Sequence, residues 1–506
     1  MPVVRGEGRG TTPAVEANRG GEAWLLAGAL ALLLAVRVTA LLVNRTDLFF
    51  DEAQYWSWSE APAFGYYSKP PLIAWVIRLA TGVCGDSEAC VRLPSALLHT
   101  ATAVVIYLVG RRLYDGRVGV WAALGYATLP GVSLSAGIIS TDVPLLFFWA
   151  LALLAWTALL QERSWWPALL LGLALGLGLN AKYAMAYFVL SAGIHVAITP
   201  AARPILRDPR LWVALAIGVA GILPNVAWNM QNQFATVAHT ADNANLGGRL
   251  INPLKMLEFL GAQFGVFGPI LFGALGVIVW RAARRGLPEP DRMLLAFAVP
   301  VLAIVTVIAF ISRAHANWAA VSYVAAVVLV TATLVREASW RLLRGSLALH
   351  AVLVLAIAVA TAQAGRFRLP SGVDPFARTL GWKALADETL SALEAARRAG
   401  KPFKAVLTDD RSVTAELLYY MRAEPTPVVA WRGRGRPRDH YELSRPFTPA
   451  TGEPVLLVSL RSADVREIPR AFANIERVAE RDVPAGAGAP RRIVLWRLSG
   501  YREAGR

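Results

Sequence analysis

The residues best suited to chemistry lie in one stretch, DLFFDEAQYWSWSEAPAFGYYSKPPLIAW, residues 47–75. Paired carboxylates, Asp51 and Glu52, follow an apolar run, and Lys69-Pro70-Pro71 closes the stretch. Phe49, Phe50, Tyr55, Trp56, Trp58, Tyr66, Tyr67 and Trp75 crowd around them. An interfacial aromatic belt accounts for the rings. It does not account for the charges, because ionisable groups near membrane depth are costly and default to functional candidates. A carboxylate can act as general base on an acceptor hydroxyl, and a lysine can hold a phosphate as a point charge. Together they suit attack on a phosphate-linked sugar at a membrane surface. Two further charged elements are Ser140-Thr141-Asp142-Val143-Pro144 and Asn180-Ala181-Lys182-Tyr183.

The elements that must position these residues are membrane helices. The chain has 506 residues, 56% hydrophobic and 17% charged, with a mean hydropathy of +0.45. Soluble domains are roughly 25% charged, and a single soluble core rarely grows past ~250–300 residues. A soluble enzyme, a disordered chain and a coiled coil are therefore excluded. A bilayer core needs about 20 apolar residues per helix. Candidate spans lie near 23–43, 93–110, 118–138, 143–160, 165–180, 184–199, 211–228, 258–280, 292–311, 318–335 and 345–363. The expected fold is mainly α, a polytopic membrane helical bundle of about eleven spans, with a small C-terminal α/β domain. The first span reads as an uncleaved signal anchor.

The net charge of +16 belongs to the membrane class rather than to nucleic-acid binding. Alternate loops carry Arg5, Arg9, Arg19, Arg111, Arg112, Arg117, Arg163, Arg203, Arg207, Arg210, Arg281, Arg284, Arg285, Arg292, Arg336, Arg341 and Arg344. That is roughly twice the basic content of the opposite loops, so these face the cytoplasm. The expected organisation is a cytoplasmic tail over 1–22, a membrane domain over 23–364 with its functional first outward loop at 44–92, and a periplasmic α/β domain over 365–506. Asp51, Glu52, Lys69, Asp142 and Lys182 then all fall on the outward face. In the last segment Ala405-Val-Leu-Thr, Pro427-Val-Val-Ala and Pro454-Val-Leu-Leu-Val read as strands, and Trp382–Ala399 and Ser412–Met421 as helices. The run Trp431–Arg438 is a basic loop, either solvated or touching anionic headgroups. Cys84 and Cys90, the only cysteines, share the outward loop and are expected to pair.

His239 and His315 sit in outward loops and are candidates for a donor phosphate, against the plainer role of solvated loop histidines. His99 and His195 lie within apolar helices and read as structural. Arg37, inside the first span, can snorkel outward or pair with an inward carboxylate such as Asp142.

The motifs DEAQYW, GYYSKPPLIAW, STDVPLLFFW and GLGLNAKYAM, in this order over most of residues 23–340, resemble the family-39 and aminoarabinose-transferase-like integral-membrane glycosyltransferases of bacteria. These are C-type (GT-C) enzymes related to protein mannosyltransferases. The resemblance implies an extracytoplasmic active site and a polyprenyl-phosphate sugar donor. By match of motif, Asp51 is the catalytic base, with Glu52 the adjacent acid and Asp142 the second-loop aspartate. Tyr55, Lys69 and Lys182 match substrate-binding positions, with Lys69 on the donor phosphate. Gln54 and Ser68 depart from the aminoarabinose transferases, which carry Arg and Glu there. That glutamate belongs to a metal site in the relatives, so no metal ligands are assigned here, and a divalent metal is the sole cofactor considered.

The expected function is transfer of a sugar from a polyprenyl-phosphate donor to an extracytoplasmic acceptor: lipid A or lipopolysaccharide, or another envelope glycan or protein. The enzyme would be a glycosyltransferase of the bacterial inner membrane. The alternative is a transporter or flippase for a lipid-linked sugar. That would need charges spread through mid-membrane helices and favours internal repeats, whereas here the charges cluster at one face and no repeat is visible.

Overall fold

Apolar runs fold as helices and break where the backbone rules require. The computed structural model describes residues 13–244, 251–366, 368–369, 374–433, 435–460 and 467–502. Arg5 and Arg9 of the expected tail, Arg249 of an outward loop and Arg434 of the basic loop lie outside the described residues. The first helices are α1 (Pro13–Leu42), α2 (Phe50–Ser59), α3 (Leu72–Cys84), α4 (Glu88–Leu113), α5 (Gly116–Thr128), α6 (Pro130–Ser135), α7 (Asp142–Gln161) and α8 (Trp166–Ala181). They are followed by α9 (Ala186–Ile198), α10 (Pro209–Gln231), α11 (Ala235–Ala244), α12 (Pro253–Phe267), α13 (Pro269–Arg284), α14 (Glu289–Ile311), α15 (Ser322–Arg336) and α16 (Trp340–Ala362).

All eleven expected stretches contain helix, but not as eleven full-length spans. Among the described residues, six helices are singly long and apolar enough to cross a bilayer: α1, α4, α7, α10, α14 and α16. The pair α12–α13 passes the same test only together, bent by 117°. The corner is Gly268, with φ +86; a Cβ there would fall 2.1 Å from His350 Nε2, so only glycine fits. The stretch 118–138 divides because Pro130 bars Leu129 from helical backbone, and Leu129 takes ψ 137. Lys182 is extended and ends α8. The apolar helix α3 occupies part of the segment expected to be loop. At the centre, α15 is buried at every residue from Ser322 to Leu334, as expected of a helix apolar on all sides. Glycines 172, 176, 218 and 221 let α8 and α10 approach closely, and Asn180 Nδ2 donates to Gly176 O and Gly221 O, both at 2.8 Å.

Beyond α16 the chain forms α17 (Trp382–Arg398), β1 (Ala405–Thr408), α18 (Arg411–Tyr420), β2 (Val428–Ala430), α19 (His440–Ser444) and β3 (Val455–Ser459). It then makes a short helix, Glu467–Arg470, and ends in β4 (Phe472–Val483) and β5 (Arg491–Tyr501). The sheet order is β2-β1-β3-β5-β4, with β1 parallel to both β2 and β3 and the β4–β5 hairpin antiparallel. The first three strands and the two longer helices match the sequence expectation to within a residue or so. The hairpin is new. β4 reads as polar because it is an edge strand, mostly exposed and carrying Glu476, Arg477, Glu480 and Arg481.

This segment rests on α2. Asp47 Oδ2 accepts from Trp382 N (2.8 Å) and Lys383 N (3.3 Å), placing an acid at the start of α17, where the helix dipole favours one. Tyr420 Oη accepts from Leu48 N at 2.9 Å. Cys84 and Cys90 are disulfide-bonded, closing the α3–α4 connection. Within it, Asp86 accepts from Trp56 Nε1 (2.8 Å) through its side chain and from Tyr419 Oη (2.6 Å) through its carbonyl.

Glu416 of α18 is fully buried, and among the described residues neither carboxyl oxygen has a hydrogen-bond partner. Burial first, then Asp47 and Glu52, hold its pKa well above the usual carboxylate range. The folded state therefore keeps a proton that the unfolded state releases above about pH 4.3. Stability contributed by that proton is full at lower pH and is lost as pH rises through the raised pKa. Glu416→Gln should flatten this fall. Thermal unfolding of the detergent-solubilised protein, followed from mildly acidic to alkaline pH, would check it.

Candidate active site

The site is assembled around α2. Phe49 precedes the helix, and its backbone N donates to Glu52 Oε2 at 2.9 Å, a local return that fixes the first turn. Glu52 is entirely buried and faces away from Asp51. Arg92 of α4 grips it, with Nη2 to Oε2 at 2.7 Å and Nε to Oε1 at 3.0 Å. Ile139 N donates to Oε1 at 2.9 Å. Arg92 also donates to Thr46 Oγ1 (3.1 Å) and to Asp47 O (2.7 Å). Both Glu52 oxygens are therefore engaged. The sequence reading grouped Glu52 with the catalytic residues; its geometry is that of a positioning residue, because no lone pair is left to receive a substrate proton.

Asp51 is placed differently. Its side chain is about one-third exposed, at 37%. Oδ1 accepts from Arg411 Nη1 at 2.9 Å. Among the described residues Oδ2 has no hydrogen-bond partner, so one carboxylate oxygen is free to take a proton. Arg411 Nη1 also donates to Gln54 Oε1 at 2.8 Å, and its guanidinium lies over the Phe50 ring, 4.9 Å from the centroid.

The second acid, Asp142, opens α7 three residues after Ile139. Lys182 Nζ meets Oδ1 at 2.7 Å, and Asn317 Nδ2 donates to Oδ2 at 2.6 Å. The Asp142–Lys182 pair is thus made, and Asn317 comes from the same loop as His315. Lys69 completes the group. Burial lowers its pKa most, followed by the like charge of Lys182, while Asp51 and Asp142 oppose the shift. Among the described residues its Nζ has no hydrogen-bond or ion-pair partner. Lys69 is the unpaired cation of the cluster.

Tyr55 is buried on α2; burial first, then Asp51, raises its phenol pKa, so it stays protonated. His239 of α11 lies against Tyr67, ring centroids 5.5 Å apart. Its pKa is lowered by burial first and then by Lys69 and Arg411, which favours the neutral ring. His315 is exposed and packs edge-on against Trp318 at 5.4 Å; no direct contact links it to the acids. Arg37 takes neither expected course: its Nη2 donates to Ala127 O, and among the described residues Nε and Nη1 are buried without partners. His99 bonds Tyr126 and Ser135, and His195 accepts from Trp156, both structural as expected.

The α2–α3 loop that carries Lys69 is pinned from several sides. Thr236 Oγ1 donates to Tyr66 O at 2.8 Å, Asn225 Nδ2 to Phe64 O at 2.8 Å, and Tyr67 Oη to Pro437 O at 2.9 Å. Among the described residues no group of three His, Cys, Asp or Glu side chains is placed to hold a metal ion. Sequence reasoning missed Arg411, Asn317 and the positioning role of Arg92. Arg92 falls at the end of the outward loop 44–92 and carries no distinguishing local pattern, and Arg411 and Asn317 are brought in by folding alone.

Comparison with known proteins agrees with this fold. Residues 68–228 match the family described as dolichyl-phosphate-mannose-protein mannosyltransferase. The chain is 40% identical over 408 residues to the lipid A galacturonosyltransferase RgtD of Rhizobium johnstonii, covering 80% of this chain and 84% of that protein. A shorter match, 33% over 132 residues and 24% of each chain, is to an undecaprenyl phosphate-alpha-4-amino-4-deoxy-L-arabinose arabinosyl transferase of Pseudomonas fluorescens. The fold resembles that of ArnT from Cupriavidus metallidurans bound to undecaprenyl phosphate, with a TM-score of 0.62 at 16% identity over 94% of this chain and 98% of the other. The chain belongs to the integral-membrane C-type glycosyltransferases. Its chemistry is sugar transfer, and the transporter alternative falls away.

The depressed pKa of Lys69 gives a pH signature. Its ammonium loses its proton at lower pH than an ordinary lysine, so affinity of the cluster for an anionic ligand should fall on the alkaline side. Lys69→Arg keeps a cation there, and should move the alkaline limb of the kcat/KM profile to higher pH. Rates over a pH series with both proteins would check it.

Proposed function

We propose that this protein transfers galacturonic acid from a polyprenyl-phosphate donor to lipid A at the periplasmic face of the inner membrane. The donor and acceptor are read from the 40% identical relative, named a lipid A galacturonosyltransferase, and from the undecaprenyl phosphate named in the arabinosyl transferase match. The geometric observation that carries the reading is a carboxylate, Asp51, with one oxygen unpartnered, in electrostatic reach of the unpaired cation Lys69.

The reaction follows from that pairing. Lys69 holds the donor phosphate. Asp51 Oδ2 accepts the proton of the acceptor hydroxyl as its oxygen attacks the anomeric carbon. The anomeric carbon–oxygen bond to phosphate breaks, and its electron pair leaves with the polyprenyl phosphate. The proton passes from Asp51 to solvent. Lys182 and Asn317 hold Asp142 within electrostatic reach of Lys69. Tyr55 is buried on the helix that carries Asp51, and His239 lies within electrostatic reach of Lys69. Glu52 and Arg92 keep α2 in place.

Purified protein with polyprenyl-phosphate galacturonate and lipid A tests the reading. Asp51→Asn keeps the size and removes the base, so kcat should fall about 10²–10⁴-fold with donor binding retained. Glu52→Gln leaves Arg92 as an uncompensated buried charge; it should cost about 3–5 kcal/mol of stability and lower the melting temperature. An Asp51→Asn protein with unchanged turnover would remove Asp51 as base.

The bias of arginine among alternate loops supports a cytoplasmic N-terminus and a periplasmic location for residues 365–506. Alkaline phosphatase fused after Arg506 should then be active. A fusion active only with a cytoplasmic reporter would reverse the orientation.

A further inference from the structure

We infer that Arg411, contributed by the C-terminal α/β segment, reads the carboxylate of the donor sugar and so sets its specificity for a uronate. The inference rests on the donor reading above and adds a residue to it.

The argument starts from how Arg411 uses its donors. Nη1 spends both of its hydrogens within the protein, one on Asp51 Oδ1 and one on Gln54 Oε1. Nε and Nη2 have no partner among the described residues, and neither is sealed from solvent. The side chain is 35% exposed. Nε–H and the adjacent Nη2–H project in parallel from one edge of the guanidinium. That edge is the fork that binds a carboxylate bidentately.

The fork is also rigidly held. Phe50, Asp51 and Gln54, all on α2, carry the ring and the two acceptors that fix the guanidinium plane. A free edge held this way loses little conformational entropy when an anion docks. Its position is the active site, since it bonds the carboxylate that supplies the free Oδ2, and Lys69 and His239 both feel its charge.

Charge matching completes the argument. A uronosyl phosphodiester brings two anionic groups, the phosphate and the sugar carboxylate. Of the cations in the cluster, Lys182 is occupied by Asp142 and Arg92 by Glu52. Lys69 and the outer edge of Arg411 remain, while Arg378 lies over the Phe49 and Phe50 rings. A compact ammonium suits the phosphate, and the planar fork suits the planar carboxylate. A neutral hexose would leave the fork unpaired in the bound complex, which is how a polar site rejects an analogue lacking the matching group.

The experiment compares two donors, polyprenyl-phosphate galacturonate and polyprenyl-phosphate galactose, with lipid A as acceptor. The readout is the ratio of their kcat/KM values, for wild type, Arg411→Gln and Arg411→Lys. Wild type should prefer the uronate. Arg411→Gln should lower the ratio about 10- to 100-fold, the scale of a charge-assisted hydrogen-bond pair, whatever loss both donors share. Arg411→Lys, which keeps the charge and loses the fork, should fall between them. Binding of bare polyprenyl phosphate should be the same in all three.

A ratio unmoved by Arg411→Gln would assign Arg411 to holding Asp51 alone and overturn the inference. Weakened binding of bare polyprenyl phosphate would overturn it too, by giving Arg411 to the phosphate. If wild type itself fails to transfer galacturonate, the donor reading fails and takes the inference with it. The lysine variant keeps the test decisive if the glutamine variant does not fold.

Discussion

Everything near the site hangs on one buried ion pair, Glu52 with Arg92. A buried pair gains little net stability, because desolvation offsets attraction. Its value here is positional. The same arginine binds the chain at Thr46 and Asp47, and the same carboxylate binds Ile139. One node therefore fixes three things together: the register of α2, which carries Asp51; the approach to α7, which opens with Asp142; and the segment whose Asp47 meets α17. Two acids that are far apart in the chain are held to one geometry because they share this fixed point.

The adjacent carboxylates divide their labour by helix geometry. Neighbouring residues on a helix point about 100° apart, so the side chains of Asp51 and Glu52 leave α2 in different directions. One turns into protein and is fully bonded; the other turns toward the pocket and keeps an oxygen open. The two cations that contact Asp51 and Asp142 come from different parts of the fold, Arg411 from the C-terminal α/β segment and Lys182 from the end of α8 in the bundle. Lys69 remains unpaired among them. A cluster of mixed charges with one cation in surplus is poised for an anionic ligand and is close to neutral before it arrives.

Much of this was legible in the sequence because it depends on short-range patterns. Asp51, Lys69, Asp142 and Lys182 stood out as charges at the ends of apolar runs, and the apolar runs themselves gave the helical bundle. Span lengths were less legible. A window of hydropathy cannot see that Gly268 turns a corner or that Pro130 cuts a helix, because one residue decides each. The edge strand β4 was hidden by its polar face. Arg411 was beyond sequence reasoning altogether: it begins an ordinary amphipathic helix, and only the docking of α18 on α2 gives it a partner. The different surroundings of Glu52 and Asp51, one bonded on both oxygens and one on a single oxygen, appear only in the fold.

The contact between Arg411 and Asp51 joins residues 360 positions apart. At translation rates of about 5–20 residues per second, roughly 20–70 s separate the emergence of the two. Throughout that interval the bundle can insert, but the carboxylate stands without its guanidinium and α17 has yet to reach Asp47. The part that finishes the charge cluster is made after the whole of the helical bundle. A ribosome that stalls before α18 leaves an inserted bundle without its arginine, so the timing of synthesis itself withholds the assembled site until α18 has been made.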